Sequence, residues 1–197
     1  MKRVLLLVVA VMLACLPALG LAEGAGYTAP AGRFAFPCPE GWTVLSKENM
    51  ADMLKTAETI EDETFQRMVE SARPQIEQLG MVILMSADYT CNINVICRSG
   101  MKGVTSEALL SVSDTFKSEL SSQLESLTFL DEPAVYTGGD WEPMMFSYEY
   151  VFVGVGRSGA QAYLPKDDNV LIFTLTAQSG QEEQGVNALM EMLLGLQ

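Results

Sequence analysis

The chain has 197 residues, with 25 acidic and 12 basic side chains, and its formal charge at pH 7 is −13. So acidic a chain repels phosphate backbones, and we do not expect nucleic acid among its partners. It contains no histidine, which excludes the usual general base near neutral pH, the usual zinc ligand and every Ser-His or Cys-His catalytic arrangement.

The N-terminus has the three parts of a secretory signal peptide. Lys2 and Arg3 form the basic start, residues 4–14 form an apolar core, and small residues lead to Ala22. The apolar core is too short to span a bilayer. We therefore predict a signal peptide over residues 1–22, cleavage near Ala22, and a secreted or extracytoplasmic protein.

A lipoprotein is the alternative outcome of this signal. Cys15 follows a short apolar run, and its lipidation would hold the chain on a membrane. Leu13, however, stands where lipoprotein signals usually carry a small residue. We expect contact with a membrane only if Cys15 is lipidated.

A flexible leader and one domain are predicted after the signal. Residues 23–32 are rich in Gly, Ala and Pro, which is typical of a short leader, and residues 33–197 contain no linker that would divide them. The domain begins with a predicted β-hairpin, residues 33–36 and 42–45, around a turn over 37–41. Phe34, Phe36 and Trp42 are its apolar anchors on the rest of the fold.

The next segment alternates helices and strands. Residues 47–80 have helical composition, with Ser46 as a cap, a break near Thr59 and a stop or kink at Pro74. Residues 81–87 and 91–97 are predicted strands joined by a hairpin turn. In the second of these strands Asn92 and Asn94 share one face, which we expect to be half exposed.

The rest of the domain is predicted as a long helix, four strands and a closing helix. Apolar residues at steps of three and four predict a helix over 106–127, capped by Thr105. Strands follow over 129–136, 144–153, 160–165 and 170–177, with a glycine-rich turn over 154–159. Ser179 and Glu182 form a capping-box pattern at the start of the last helix.

This order of elements, with two short motifs, resembles the PsbP-like superfamily. The motifs are Phe34-Ala35-Phe36 with Pro39-Glu40-Gly41-Trp42, and Ala160-Gln161-Ala162-Tyr163 followed by residues 170–177 and a final helix. That superfamily includes a photosystem II extrinsic subunit, a Ran-binding import factor and exported bacterial proteins. The resemblance implies an α+β fold, an antiparallel sheet of about six strands between helices, and action by binding.

The three cysteines that follow the signal allow one bridge. Cys91 and Cys97 lie six residues apart on one predicted strand, too far for a disulfide, so a bridge would join Cys38 to Cys91 or Cys97. The alternative is that all three are small buried thiols. An aromatic stripe, Phe146, Tyr148, Tyr150 and Phe152, is either core or one wall of a ligand groove.

No catalytic residue, cofactor site or metal site is predicted. The carboxylate clusters lack the spacing of a calcium-binding loop, and no phosphate-binding glycine motif is present. The first hypothesis is an exported non-catalytic domain that binds an unidentified extracytoplasmic protein or envelope component. The second is a carrier of a small apolar ligand in a sheet–helix cleft, and the third is a hydrolase that uses carboxylates alone.

Overall fold

The computed structural model describes residues 27–28, 34–59, 63–137 and 141–196. The predicted signal peptide, Cys15, Arg33 and all but two residues of the predicted leader lie outside this part of the chain. Tyr27 and Thr28 of the leader pair with Phe36 and Ala35. In the described part the strands and helices follow in this order: β1 Tyr27–Thr28, β2 Ala35–Phe36, β3 Thr43–Leu45, α1 Met50–Thr59, α2 Glu63–Leu79, β4 Val82–Met85, β5 Cys91–Ser99, α3 Ser106–Ser111, α4 Ser113–Ser121, β6 Glu125–Phe129, β7 Ala134–Val135, β8 Met144–Phe152, β9 Val155–Lys166, β10 Asn169–Gln178 and α5 Glu182–Leu194.

An antiparallel sheet organises the domain. Its strand order is β3-β4-β5-β10-β9-β8-β6, and the short β7 also pairs with β8. The predicted α+β class with an antiparallel sheet is confirmed. The sheet has eight strands rather than about six. β3 joins it at one edge, and the region predicted as one strand over 129–136 contains β7 and only the last residue of β6, which begins at Glu125.

The N-terminal strands are present, but they pair differently from the predicted hairpin. β2 pairs with β1, whereas β3 pairs with β4 at one edge of the large sheet. Pro37 and Pro39 have no backbone donor, so the chain between β2 and β3 cannot continue a ladder. Residues 39–42 form a turn instead, closed by a bond from the Trp42 N–H to the Pro39 carbonyl.

The helical segment after β3 departs from prediction at two residues. Ser46 is the predicted cap of the first helix, but α1 begins at Met50 and the residue directly before it is Asn49. The Asn49 carboxamide oxygen accepts a hydrogen bond from the Ser46 N–H at 2.8 Å. α2 continues past Pro74 to Leu79. Packing of α2 on the sheet through Ile76 outweighs the backbone bond that this proline cannot make.

The predicted long helix over 106–127 is divided in two and ends at Ser121, so the prediction is wrong for residues 122–127. α3 and α4 are separate helices that meet at Val112, and the chain then enters β6, which contains Leu127. β6 is bulged between Glu125 and Thr128. The bulge lets Leu127 and Phe129 contact the same apolar cluster as Leu124, so a helical spacing of apolar residues continues into a strand.

The predicted glycine-rich turn over 154–159 is mostly strand. β8 and β9 are joined by a two-residue turn, Val153 and Gly154, both with positive φ. Gly159 lies within β9 because the Tyr148 ring packs across it; a Cβ there would lie 2.4 Å from the ring. This glycine therefore serves close packing rather than a turn.

The two faces of the sheet are covered differently. On one face, α5 and the segment 34–42 bury a continuous cluster that contains Phe34, Phe36 and Trp42. On the opposite face, two separate clusters form, one under α1 and α2 and one under α3 and α4. The capping-box prediction for α5 is wrong: the N-cap is Gln181 rather than Ser179, and Glu182 accepts from the Gly180 N–H rather than from that of Ser179.

Candidate ligand cleft between the helices

Polar side chains cross the middle of the sheet on the face opposite α5. Asn94 on β5 is paired with Thr174 on β10, which is paired with Gln161 on β9. In the neighbouring row Asn92 is paired with Thr176. Because side chains of directly paired residues point to the same face, these residues form a polar band across three central strands.

The polar band lies between two helical layers, α1 with α2 and α3 with α4, and neither layer covers it fully. The α1–α2 cluster packs over β3 and β4, and the α3–α4 cluster packs over β8 and β9. Between them is a cleft of about 90 Å³, with room for roughly six water molecules or as many ligand heavy atoms. The residues that line it are Leu79, Met81, Asn94, Ile96, Arg98, Leu120, Gln123, Leu124, Tyr148, Tyr150, Gln161, Thr174 and Thr176. We call it the interhelical cleft.

Asn94 is the unusual residue on the floor of the interhelical cleft. Its exposed fraction is 2 %, yet neither its amide nitrogen nor its carbonyl oxygen has a hydrogen-bond partner within the described protein. A buried amide without partners costs about 1–3 kcal/mol. The fold therefore carries a polar group that its own contacts do not satisfy.

Gln161, Tyr150 and Thr176 on the floor have hydrogen-bond partners. The Tyr163 hydroxyl donates to the Gln161 carboxamide oxygen at 2.6 Å. Burial raises the pKa of Tyr150, and a hydrogen bond from the Thr176 side chain lowers it in part. Burial also raises the pKa of Tyr148 strongly. Both tyrosines therefore present neutral hydroxyls and aromatic faces to the cleft at ordinary pH.

The rim of the interhelical cleft is mainly apolar and carries one cation. Leu79 and Leu124 are half-buried at the edge, on opposite helical layers, and Gln123 lies beside Leu124. Arg98, at the end of β5, is exposed. Asn94, whose two polar amide atoms are almost fully buried, lies at the floor beneath this aliphatic rim.

The predicted groove residues are divided by the structure. Tyr148 and Tyr150 line the interhelical cleft, whereas Phe146 and Phe152 belong to the apolar cluster beneath α3 and α4 and are not among its lining residues. The predicted anchors Phe34, Phe36 and Trp42 are buried on the opposite face of the sheet.

The three cysteines are free thiols in this structure, and the bridge from Cys38 to Cys91 or Cys97 is not formed. The Cys91 thiol donates to the Gln181 carbonyl at the start of α5. Burial and the nearby Glu191, in the last turns of α5, raise the pKa of Cys38 to about 11. The two thiols thus lie against opposite ends of α5, on the order of 15 Å apart along the helix. The Cys97 thiol faces the Asn169 carboxamide.

Sequence reasoning missed Asn94, Thr174 and Gln161 as site residues. The signal was present: Asn92 with Asn94, and Thr174 with Thr176, each alternate with buried apolar residues. The face that carries the two asparagines was expected to be half exposed, and that expectation is wrong because both are buried. The helical layers cover this face on either side of the cleft, and β10 pairs with β5, so the two asparagines are shielded from solvent.

No group of three or more Cys, Asp or Glu side chains that could hold a metal ion occurs among the described residues. No helix in the described ranges is both long and apolar enough to cross a bilayer.

Solved structures that are similar to this one show the fold. The cyanobacterial PsbP protein CyanoP from Synechocystis has a TM-score of 0.54 and 11 % identity, over 94 % of this chain and 98 % of that one. The chain has a PsbP-like fold. A Bacteroides thetaiotaomicron protein also has a TM-score of 0.54, at 12 % identity over 89 % of this chain. The match covers 48 % of the Bacteroides protein, so the present chain spans about half of that protein's length.

A weaker likeness joins this PsbP-like domain to the Ran-binding protein Mog1p of Saccharomyces cerevisiae. The TM-score is 0.49, with 9 % identity over 90 % of this chain and 96 % of that one. No protein-family model matches the sequence, and neither does any curated protein sequence. The resemblance predicted from the sequence is confirmed at the level of the fold by the two structures with a TM-score of 0.54.

Proposed function

We propose that this chain is an exported, non-catalytic accessory domain that binds a small, mainly apolar ligand in the interhelical cleft. The observation that carries the proposal is Asn94, an almost fully buried amide without protein partners at the floor of an open cleft. A leucine of similar size would remove the cost of burying this amide. A polar group kept at that cost is typical of a binding site. Export rests on the predicted signal over residues 1–22.

The walls of the cleft favour an apolar ligand. Leu79, Met81 and Ile96 lie on one side, and Leu120 and Leu124 lie on the other. A ligand that removes these side chains from water would gain about 25 cal/mol for each Å² of apolar surface that it buries. Small-molecule sites usually have apolar walls with a few polar groups that point toward the ligand.

The cleft offers little that could perform acid–base chemistry. Its ionisable lining residues are Arg98 at the rim and the tyrosines 148 and 150, whose pKa values burial raises. No carboxylate is among the residues that line it, whereas a hydrolase that uses carboxylates alone needs two that face each other. This composition supports binding over hydrolysis at this site.

Toluene tests the proposal, because it has seven heavy atoms and no hydrogen-bonding group. We expect saturation-transfer NMR to detect toluene bound to the wild-type protein. Thr174→Phe fills the floor of the cleft and should abolish that signal, whereas Thr128→Phe, on the exposed strand β6, should keep it. Absence of bound toluene in the wild-type protein, or equal binding by the Thr174→Phe variant, would refute the proposal.

A second candidate is binding of an extracytoplasmic protein or envelope component through the β8–β9 turn. Val153 at this turn is 81 % exposed and has φ of 49°, a conformation that β-branched residues avoid. Val151 and Val155 beside it are also exposed. An exposed apolar residue in this conformation costs free energy on folding, and a contact with another molecule would explain its presence.

The two candidates can be separated by variants. Val153→Asn alters the turn and Thr174→Phe fills the cleft. If the turn holds a partner, a protein captured by the wild-type domain from the extracytoplasmic fraction of its host is lost with Val153→Asn and kept with Thr174→Phe. Capture that both variants retain would argue against the turn as the contact.

A further inference from the structure

We infer that the ligand of the interhelical cleft carries a neutral head group with a hydrogen-bond donor and an acceptor side by side, of which a carboxamide is the simplest case. The inference deepens the proposed function and rests on it. It concerns the chemistry of the ligand at Asn94 rather than the presence of a ligand.

The two free groups of Asn94 define the head group. Its amide nitrogen offers two donors and its oxygen is an acceptor, and both atoms lack protein partners. An alkyl group would leave both unsatisfied, and a ketone would satisfy only the nitrogen. A carboxamide, with its own oxygen and N–H₂ group, can bond to both atoms of Asn94 at once.

Charge on the head group is disfavoured by the surroundings of Asn94. Its neighbours in the ladder are Thr174 and Ile83, and the cleft floor continues to Gln161 and Tyr148, none of which is charged at pH 7. Burying a carboxylate or an ammonium there without a counter-charge is costly. A carboxylate would also oppose the Asn94 oxygen. The exposed Arg98 lies at the rim, where water screens it.

The size and walls of the cleft define the rest of the ligand. Its volume of about 90 Å³ accommodates roughly six heavy atoms, so a ligand of about eight fills the cleft and extends to its open rim. With the head group at Asn94, an aliphatic body of this length would lie against Leu120 and Leu124 on one side and Met81 and Ile96 on the other. Hexanamide matches this description.

The experiment compares hexanamide with two relatives of equal heavy-atom count. N,N-dimethylbutanamide is an isomer of hexanamide that has no donor, and hexanoate replaces the neutral head with a charged one. Dissociation constants come from chemical-shift titration of ¹⁵N-labelled protein. We expect hexanamide to bind about ten-fold more tightly than either relative, and to shift the side-chain amide resonances of Asn94, which its isomer should shift less.

Two variants assign the preference to Asn94. Asn94→Leu should reduce hexanamide affinity about ten-fold, to that of the isomer, and should keep toluene binding. Asn92→Leu is the matched control, since Asn92 lies on the same strand and face but does not line the cleft. It should leave hexanamide affinity unchanged.

Each outcome decides the inference. The inference is supported if the wild-type protein prefers hexanamide, the Asn94→Leu variant loses this preference and the Asn92→Leu variant keeps it. Equal binding of the three compounds, with toluene bound, overturns the inference and leaves the proposed function standing. Failure of toluene and all three compounds to bind overturns both. If Asn94→Leu does not fold, the shift of the Asn94 amide resonances in the wild-type protein still decides, because hexanamide binding without that shift contradicts the inference.

Discussion

A single missing Cβ at Gly159 shapes one wall of the interhelical cleft. Gly159 lies on β9 directly opposite Tyr148 on β8, and the tyrosine ring crosses the glycine. Any side chain at position 159 would push this ring away. The position of Tyr148 at the cleft therefore depends on a residue that has no side chain.

Gly159→Ala is expected to destabilise the protein by about 2 kcal/mol, because its Cβ would lie 2.4 Å from the buried Tyr148 ring. Gly156→Ala, also in β9, is the matched control. Its Cβ would meet only the Ser179 hydroxyl oxygen at 2.9 Å, which can rotate away, so we expect a change within about 0.5 kcal/mol. Urea unfolding measures both. Equal losses would show that the Tyr148 contact is not the cause.

The polar band shows how far single residues can be predicted from the sequence. Alternation places Asn92 and Asn94 on one face, and the same pattern applies to Thr174 and Thr176. Their meeting requires β10 to lie beside β5, about 80 residues earlier in the chain. Local patterns contain no information on that pairing, so the floor of the cleft could not be assembled from the sequence.

At the scale of elements, apolar spacing fails to fix where a helix ends. Leu120, Leu124 and Leu127 contact one cluster although α4 ends at Ser121 and Leu127 lies in β6. The bulge in β6 turns its apolar side chains inward as a further helical turn would. The strands over 144–152 and 169–178, with strong alternation or long apolar runs, were predicted nearly to the residue.

The β4–β5 turn has a pH-dependent element at Asp88. Burial opposes ionisation of this carboxyl, but hydrogen bonds from Ser86 and Thr90 outweigh it and lower the pKa of Asp88 below 3.8. The folded state therefore gains stability above about pH 4, which is lost as the pH falls through the lowered pKa.

Asp88→Asn should remove that pH-dependent contribution. Because Asp88 is exposed, we expect a loss of at most about 1 kcal/mol at pH 7, and a smaller difference from wild type as the pH falls through the lowered pKa of this carboxyl. Thr90→Val removes one of the donors and should keep part of the dependence. Urea unfolding at pH 7, 5 and 3 measures it. A difference that is constant over this range would contradict the assignment.

The backbone of the β8–β9 turn is strained at Val153, where a β-branched residue has a positive φ. A two-residue turn with positive φ at both positions favours Asn-Gly, but this chain has Val153 and Gly154. Val153→Asn is expected to raise the free energy of unfolding by about 1 kcal/mol. Val155→Asn, an exposed neighbour in extended strand, should give no such gain. A thermal midpoint that does not rise with Val153→Asn would remove the argument for strain at this turn.

At the scale of the whole molecule, the cleft follows from unequal cover of the two sheet faces. One face has a single helix and the N-terminal segment over one continuous cluster. The other has two helical layers that contact different ends of the sheet. Apolar side chains are therefore buried toward both ends of this face, whereas its centre, with the polar band, lies under the interhelical cleft.

Lys166 joins distant parts of the domain. Its ammonium group lies 3.8 Å from the centre of the Trp141 ring and 5.1 Å from that of Phe34, and the Trp141 indole donates to the Leu196 carbonyl. One lysine therefore contacts the start of the described domain and a loop that bonds to its end. Such contacts contribute about 0.5–1 kcal/mol each when partly exposed.

Lys166→Met should lower the free energy of unfolding by about 1 kcal/mol, because it keeps the aliphatic stem and removes the cation. Lys166→Arg keeps the charge and can stack on both rings, so its loss should be smaller. Hydrogen exchange should increase at the backbone of Phe34, Trp141 and Leu196 in the methionine variant, and toluene binding at the distant cleft should persist. Equal losses of unfolding free energy in the two variants would show that the positive charge of Lys166 does not stabilise its contacts with Phe34 and Trp141.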